Sequence, residues 1–179
     1  RTRFQIRSTD DRPKIFARRS SDNEKYQLML GALEFWLQVV KPGTGAVTIS
    51  KVPLSRAPKA GDEFLMELRI QGDRLVGLLD GVPLIEATDA SVLQAGEWGI
   101  YGDDAWFESV EVQPLPAAAT PAPIAATALP ESGWQPLVSV KDWQASYNGV
   151  IGLRDFKDGL LHVVKTVLTG PGSFADGAL

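Results

Sequence analysis

The sequence has 179 residues, 44% of them hydrophobic and 22% charged, which describes a globular chain with enough core for one domain and too little for two. Its formal net charge of −4 provides no basic field for phosphate groups, so we expect no nucleic-acid partner. No apolar run reaches the roughly 18 to 20 residues of a membrane helix, so we expect no membrane insertion, and the lack of cysteine excludes disulfides and thiolate metal sites.

The first 113 residues show strand patterns almost throughout. In RTRFQIR, Thr2, Phe4 and Ile6 alternate with charged or amide side chains, which predicts a strand with one buried and one solvated face. Further strands are predicted at Lys14–Arg19, Tyr26–Leu30, Leu33–Val40 and Ala46–Val52. Short segments rich in Asp, Ser, Gly and Pro separate these strands. Nothing in this part of the sequence has the sustained 3.6-residue period of a long helix.

The clearest pattern lies in FLMELRIQGDRLVGLLDGVPLIEAT. Alternating apolar residues from Phe64 to Ile70 share one face before a turn at Gly72–Asp73, and a second turn follows at Asp80–Gly81. Pro83, directly after it, predicts that the third strand starts at a sheet edge or a bulge. An antiparallel meander of this kind needs a facing layer, which favours an all-β antiparallel sandwich.

The composition changes after Val112 to PLPAAATPAPIAATALPESG, a run of Pro, Ala and Thr without charge before Glu131. Such a run favours a semi-rigid extended spacer, and an ordered strap along the domain is equally compatible with it. From Trp134 the strand pattern returns through GLLHVVKTVL and GSFADGAL. We therefore divide the chain into residues 1–113, a Pro/Ala/Thr-rich connecting segment 114–132, and residues 133–179.

A known family shares several features of residues 61–115. They are the strand and turn at 75–81, Asp89, the turn at 96–99, and Phe107 followed by Val110 and Val112. In these features the chain resembles the closing half of concanavalin A-like lectin/glucanase domains, including their laminin-G-like and 3-keto-disaccharide-hydrolase-like branches. The resemblance implies a jelly-roll sandwich, and the shared motif is a scaffold signature rather than a reaction signature.

The tail resembles the opening half of the same family, so the family order is rotated in this chain. GSFADGAL stops and RTRFQIR starts in mid-strand, which predicts that Leu179 and Arg1 hold neighbouring positions of one strand or sheet. A circular permutant, a tail exchanged between subunits and a tandem repeat all satisfy this pattern. The start at Arg1, without Met or a signal-peptide pattern, indicates a processed product or a segment of something longer, and favours the polymeric forms.

No catalytic constellation is recognisable. Retaining glucanase chemistry needs two carboxylates about 5 Å apart, and no E-x-D-x-x-E run occurs. Glu63 and Glu67 are the closest pair, and a solvated strand face with Arg69 beside it explains them better. His162 is the only histidine, in a strand where a structural role is the more common one. We expect no enzymatic activity.

Acidic loops provide one candidate metal site. Asp80, Asp89, Asp103 and Asp104 carry the hard oxygen ligands that calcium prefers, and Asp103 and Asp104 are the best pair. Turns favour Asp-Gly and Asp-Asp for backbone reasons as well, so the expected cofactor set is none, with calcium as the alternative.

Aromatic residues provide a candidate carbohydrate site. Trp98, Tyr101 and Trp106 cluster in GEWGIYGDDAWF, and sugar rings stack on exposed aromatic faces beside carboxylates. The alternative is that these rings cover the open end of the sandwich, which is the more common role of such residues.

These features together predict a non-catalytic module outside the cell or on its surface. The preferred role is a structural repeat or subunit of a surface filament or adhesin, whose partners are copies of itself arranged head to tail. A carbohydrate-binding module is the second hypothesis, and an enzyme of the 3-keto-glycoside hydrolase type is the third.

Overall fold

The computed structural model describes residues 1–115, 132, 134–136, 144–145, 154–157, 160–169 and 177–178. Their regular structure is β-strand: β1 Thr2–Gln5, β2 Lys14–Arg19, β3 Lys25–Leu30, β4 Glu34–Lys41, β5 Gly45–Pro53, β6 Glu63–Gln71, β7 Arg74–Leu79, β8 Val82–Thr88, β9 Glu97–Pro114, β10 Gln135–Pro136, β11 Gln144–Ala145, β12 Arg154–Lys157, β13 Leu160–Thr169 and β14 Gly177–Ala178. Within these ranges no helix has the length and apolarity needed to cross a membrane.

Two antiparallel sheets share the long strand β9. One has the order β5-β4-β3-β2-β9 and the other the order β9-β1-β6-β7-β8. The strand β2 pairs with the beginning of β9, whereas β1 pairs with its second half, so β9 passes from one sheet into the other. Along its opposite edge β9 pairs with β13, which also pairs with β11 and β12.

The two sheets pack face to face around one apolar core. Inward side chains of β3 and β4 meet those of β6 and β7 in a single buried cluster. The sheets approach closely at Gly77 of β7, since a Cβ atom there would lie 2.7 Å from Leu28 Cδ1 and 3.4 Å from Phe35 Cε1. The antiparallel β-sandwich predicted from the sequence is confirmed.

The β6–β7–β8 meander has the turns that its sequence predicts. Asp80 and Gly81 have φ angles of 52° and 77°, and two consecutive positive angles are the requirement of a type I′ hairpin turn. The pairing of β7 with β8 shifts so that Leu78 faces Pro83, which places the proline at a bulge in the strand at the end of the sheet. The expected edge or bulge at this proline is confirmed.

The short strand β14 and the strand β1 fill the same gap between β6 and β9. Ala178 faces Arg69 of β6, and Thr2 faces Met66, three residues before Arg69 in the same strand. One of the two positions between them belongs to Arg1, whose carbonyl accepts a 2.8 Å hydrogen bond from the Glu111 amide. The register thus places both chain segments in one strand direction, as the sequence predicts. In this structure the pairing lies within a single molecule, whereas the sequence favours the polymeric forms.

The division into residues 1–113, 114–132 and 133–179 stays a prediction. Residues 116–131, which form most of the Pro/Ala/Thr segment, and Leu179 lie outside the described residues.

Joining Leu179 directly to Arg1 and opening the chain between Ala118 and Ala119 should stabilise the 179-residue polypeptide. The Arg1 α-ammonium group donates a 2.6 Å hydrogen bond to the Glu111 carbonyl, and burial lowers its pKa well below the ordinary value. A peptide bond replaces this charge with neutral backbone groups. Chemical denaturation should show a higher unfolding midpoint for the permutant.

The increase in stability of the permutant over the original chain should depend on pH. The folded state binds the α-amino proton more weakly than the unfolded state does, so the gain is largest at low pH and vanishes above a pH of about 8. A second permutant with four Gly/Ser residues between Leu179 and Arg1 breaks the strand register and serves as the control. Equal midpoints for the two permutants would contradict the shared strand.

Candidate functional site

A groove of about 410 Å³ lies on the outer face of the first sheet. Its functional side chains are Lys14, Phe16 and Arg19 of β2, Lys25 and Gln27 of β3, and Tyr101 of β9, and the turn at 21–23 closes one end. We call this feature the β2–β3 groove. Its volume falls within the range of about 300 to 1,000 Å³ that small-ligand sites occupy.

A bulge in β2 brings Phe16 and Arg19 into the same groove. Successive side chains of a regular strand point to opposite faces, so residues three apart do not share one. The pairing of β2 with β9 shifts between Phe16 and Arg19, and Arg18 has a φ of 57°. This extra residue restores Arg19 to the outer face.

The same bulge turns Arg18 towards the interior. Arg18 is 2% exposed, and its Nη1 atom donates hydrogen bonds of 2.8 Å to the carbonyls of Gly72 and Val92. These two bonds connect the β2 bulge to the β6–β7 turn and to the loop before β9.

Cations lie over the aromatic rings of the groove. Lys14 Nζ is 4.4 Å from the centroid of the Tyr101 ring, and Lys25 Nζ is 5.4 Å from that of Phe16. The Arg19 guanidinium lies 6.0 Å from the Phe16 centroid. Phe16 is only 1% exposed, so a ligand in the groove meets the cations that cover this ring rather than its face.

Hydrogen bonds hold these side chains in place. Asn23 Oδ1 accepts from Lys25 Nζ at 2.7 Å and from Arg19 Nε at 3.2 Å. Arg19 also pairs with Glu97 Oε2 at 3.1 Å. On the neighbouring strands Gln27 Nε2 donates to Gln38 Oε1 at 2.8 Å. The polar groups of the groove are therefore largely pre-positioned.

Lys25 is the most buried cation of the groove, at 8% exposure. Burial lowers its pKa to about 8, and the nearby positive charges of Arg19 and Lys14 lower it in the same direction.

The three aromatic residues singled out in the sequence do not form one cluster. Trp98 is 2% exposed and belongs to the core, whereas Tyr101, three residues along β9, faces outward into the groove. Trp106 is half-buried, with the Arg7 guanidinium 4.1 Å above its ring, and does not line the groove. Of the three, Tyr101 is the one that lines the β2–β3 groove.

The acidic candidates have different surroundings. Asp80 Oδ1 accepts from the Leu65 amide at 2.8 Å, and Asp89 Oδ1 accepts from the Tyr26 hydroxyl and the Ser91 amide at the same distance. Both carboxylates therefore serve the fold. The side chains of Asp103 and Asp104 lie outside the described part of the chain, so calcium at that pair stays a prediction. No group of three or more His, Asp or Glu side chains suited to a metal occurs among the described residues.

The solvated face expected at Glu67 and Arg69 is wrong. Arg69 Nε and Glu67 Oε1 are 2.5 Å apart, and both side chains are buried, whereas Glu63 is exposed. A buried, fully paired glutamate is a structural group. His162 pairs through its backbone with Asp155 and Trp106, and its side chain lies outside the described residues.

Sequence reasoning missed most of the groove. KIFARR was assigned to a strand, but regular alternation separates Phe16 from Arg19, and only the bulge reunites them. The sequence does contain one local indication of the groove. Lys14 and Lys25 fall at outward positions of two neighbouring strands, so both place a cation on the same face of the sheet.

The fold and the groove define an antiparallel β-sandwich module with a compact polar site on one sheet. Among solved structures, the carbohydrate-binding module CBM66 from Bacillus subtilis is similar to this chain, with 18% sequence identity and a TM-score of 0.49. The match covers 55% of this chain and 62% of that module, which is less than two thirds of its length. No family model and no curated protein matches the sequence.

Substitution should separate the core ring from the groove ring. Trp98→Ala should lower the free energy of unfolding by about 3 to 5 kcal/mol, because it leaves a large cavity in the core. Tyr101→Ala should lower it by no more than about 1 kcal/mol, since the ring is only partly buried. Urea denaturation measures both, and similar losses for the two variants would contradict the assignment of Tyr101 to the outer face.

Proposed function

We propose that this chain is a non-catalytic module that binds a glycan in the β2–β3 groove. The observation that carries the proposal is a pocket of about 410 Å³ in which hydrogen-bonding side chains are pre-positioned beside the Tyr101 ring. Pre-positioned polar groups bind a hydroxyl-rich ligand at a low cost in side-chain entropy.

The chemistry of the groove suits sugars. Lys14, Lys25 and Gln27 provide donors, the Asp22 carboxylate accepts from sugar hydroxyls, and Tyr101 contributes an aromatic surface. The alternating donors and acceptors of a pyranose can be satisfied by such a set. The concanavalin-like resemblance of residues 61–115 is consistent with this role, and we extend the proposal to a location outside the cell or on its surface.

The same groove is poorly equipped for glycoside hydrolysis. Asp22 is the one carboxylate among the described residues that line it, whereas a retaining or inverting glycosidase uses two. The Glu67 carboxylate is buried against Arg69 and does not line this groove.

Binding should depend on Tyr101 and not on Trp106. In calorimetric titrations with the glycans that a glycan array selects, we expect Tyr101→Ala to weaken binding by about 10-fold, the order of magnitude of one lost aromatic contact. Trp106→Ala is the matched control, because it removes an outward ring of the same strand that lies outside the groove. Loss of binding in Trp106→Ala with no change in Tyr101→Ala would move the site to the middle of β9, around Trp106.

Purified protein should not turn over a β-glucan or a 3-keto-glycoside. Product analysis after prolonged incubation measures this directly. Turnover that Asp22→Asn, Glu67→Gln or His162→Ala abolishes would contradict the proposed non-catalytic role, and would identify the residue on which the chemistry depends.

Self-association is a second candidate function, and one specific observation favours it. Gly177–Ala178 pairs with both β6 and β9 through backbone hydrogen bonding, a mode of docking that a strand from another copy can use as well. In the structure this pairing lies within one chain. Light scattering over a range of concentrations tests the exchange: a mass that rises with concentration supports head-to-tail assembly into a filament, and a constant monomer mass rejects it.

A further inference from the structure

The β2–β3 groove concentrates positive charge on a chain of negative net charge. Lys14, Arg19 and Lys25 all line it, and within the described part of the chain Asp22 is the one acidic residue that does so. The sequence as a whole carries a formal net charge of −4, so the groove is opposite in sign to the average of the chain. Local enrichment of this kind attracts a ligand of the complementary charge.

Lys25 is the clearest indication of a missing negative charge. The residue is 8% exposed as a whole, and the hydrogen bond of its ammonium group at 2.7 Å goes to the neutral amide oxygen of Asn23. The charged neighbours that act on it are Arg19 and Lys14, which have the same sign. A cation with little water and with cations beside it is costly to keep charged, and an anion in contact with it offsets that cost.

The other cations are arranged so that they can contribute to the same ligand. Asn23 orients both Arg19 and Lys25, and the Phe16 ring lies beneath these two side chains. Lys14 lies on the Tyr101 ring, which is the proposed contact surface for the sugar. An anionic substituent of a sugar bound at Tyr101 therefore has charged donors close to it on the groove floor.

We propose that the β2–β3 groove selects acidic glycans, with a carboxylate or sulfate group of the sugar bound among Lys14, Arg19 and Lys25. This inference rests on the proposed glycan-binding function and adds the charge class of the ligand. A nucleic acid is the competing anion. It fits less well, because phosphodiester strands need an extended basic surface, and the net charge of this chain repels them.

The decisive comparison is between acidic and neutral oligosaccharides of equal length. Calorimetric titration at pH 6.5 should show that tetragalacturonate, or a sulfated tetrasaccharide, binds at least about 10-fold more tightly than a neutral galactan tetrasaccharide. Added sodium chloride should reduce this preference, because the ions screen a partly exposed charge pair.

Substitution of the cations tests the assignment of the contact. Lys25→Gln keeps a side chain that can bond to Asn23 but removes the charge. It should weaken binding of the acidic oligosaccharide by about 10- to 100-fold, and binding of the neutral one, which loses no charge pair, by a clearly smaller factor. Lys14→Gln applies the same test to a second cation of the groove, one that is less buried than Lys25. Lys51→Gln is the matched control, since Lys51 projects from the same sheet face at Trp36 and pairs with Glu34 outside the groove.

The pH dependence adds an independent readout. Because the pKa of Lys25 in the ligand-free protein is about 8, an anion binds best when that amine is protonated, and the affinity should fall as the pH rises above about 8. Arg19, Lys14, Asp22 and Tyr101 are the other ionisable groups that line the groove around it. The Lys25→Gln variant retains all four, so it should lose only the part of the pH dependence that Lys25 provides.

The outcomes separate this inference from the function on which it rests. Equal binding of acidic and neutral oligosaccharides, weakened by Tyr101→Ala, would overturn the charge preference and leave the glycan site intact. No binding of either oligosaccharide would overturn both. Tighter binding of a single-stranded oligonucleotide than of either acidic glycan would assign the groove to a different class of ligand. Unchanged affinity in Lys25→Gln and Lys14→Gln, with folding verified by thermal unfolding, would place the acidic group elsewhere.

Discussion

The long strand β9 is the constraint on which the other parts of the structure depend. It belongs to both sheets, with β2 on its first part, β1 on its second and β13 along the opposite edge. A strand shared in this way fixes the register of both sheets at once, because a slip of one residue would turn every core side chain outward. It also decides which residues are available to a ligand. Ile100 and Phe107 face the core, whereas Tyr101 lies on the outer face beside the groove.

The electrostatics of the groove depend on how its cationic side chains contact aromatic rings and an amide group. Three cations are held on one small surface, where Arg19 pairs with the exposed Glu97 and Lys25 bonds to Asn23. The Phe16 ring beneath Arg19 and Lys25 supplies favourable cation–π contacts, worth about 0.5 to 2 kcal/mol each, but these do not neutralise charge. Among the described residues that line the groove, the three cations therefore outnumber the carboxylate of Asp22.

Local pattern predicted the strands well, and the site poorly. The strand Lys14–Arg19 has the bounds that its alternation indicates, and β5 extends one residue beyond each end of the predicted Ala46–Val52. The Asp80–Gly81 turn and the Pro83 bulge were predictable because each depends on the backbone chemistry of one or two residues. The groove depends on the pairing of β2 with β9, which begins at Glu97 and is far from β2 and β3 in the sequence. The grouping of Trp98 with Tyr101 failed for a simpler reason, since residues three apart on a regular strand point to opposite faces.

The burial of the Glu67–Arg69 pair, like the groove, is a tertiary property. The even spacing of Glu63 and Glu67 carries no information about it.

The geometry of the groove is maintained from outside it, at Arg18. A non-glycine residue in the left-handed region costs on the order of 1 kcal/mol or more, and Arg18 adopts a φ of 57° at the bulge that aligns Phe16 with Arg19. Its guanidinium donates to the carbonyls of Gly72 and Val92, and a hydrogen bond from a charged donor contributes about 1.5 to 3 kcal/mol. Two such bonds are sufficient to offset the backbone strain.

A neutral side chain in place of Arg18 would keep the backbone strain and lose the two hydrogen bonds, so the bulge would tend to revert to regular pairing. Arg19 would then turn away from the groove, because regular alternation sends residues three apart to opposite faces. The positive charge that faces a ligand thus depends on a buried arginine that does not touch it.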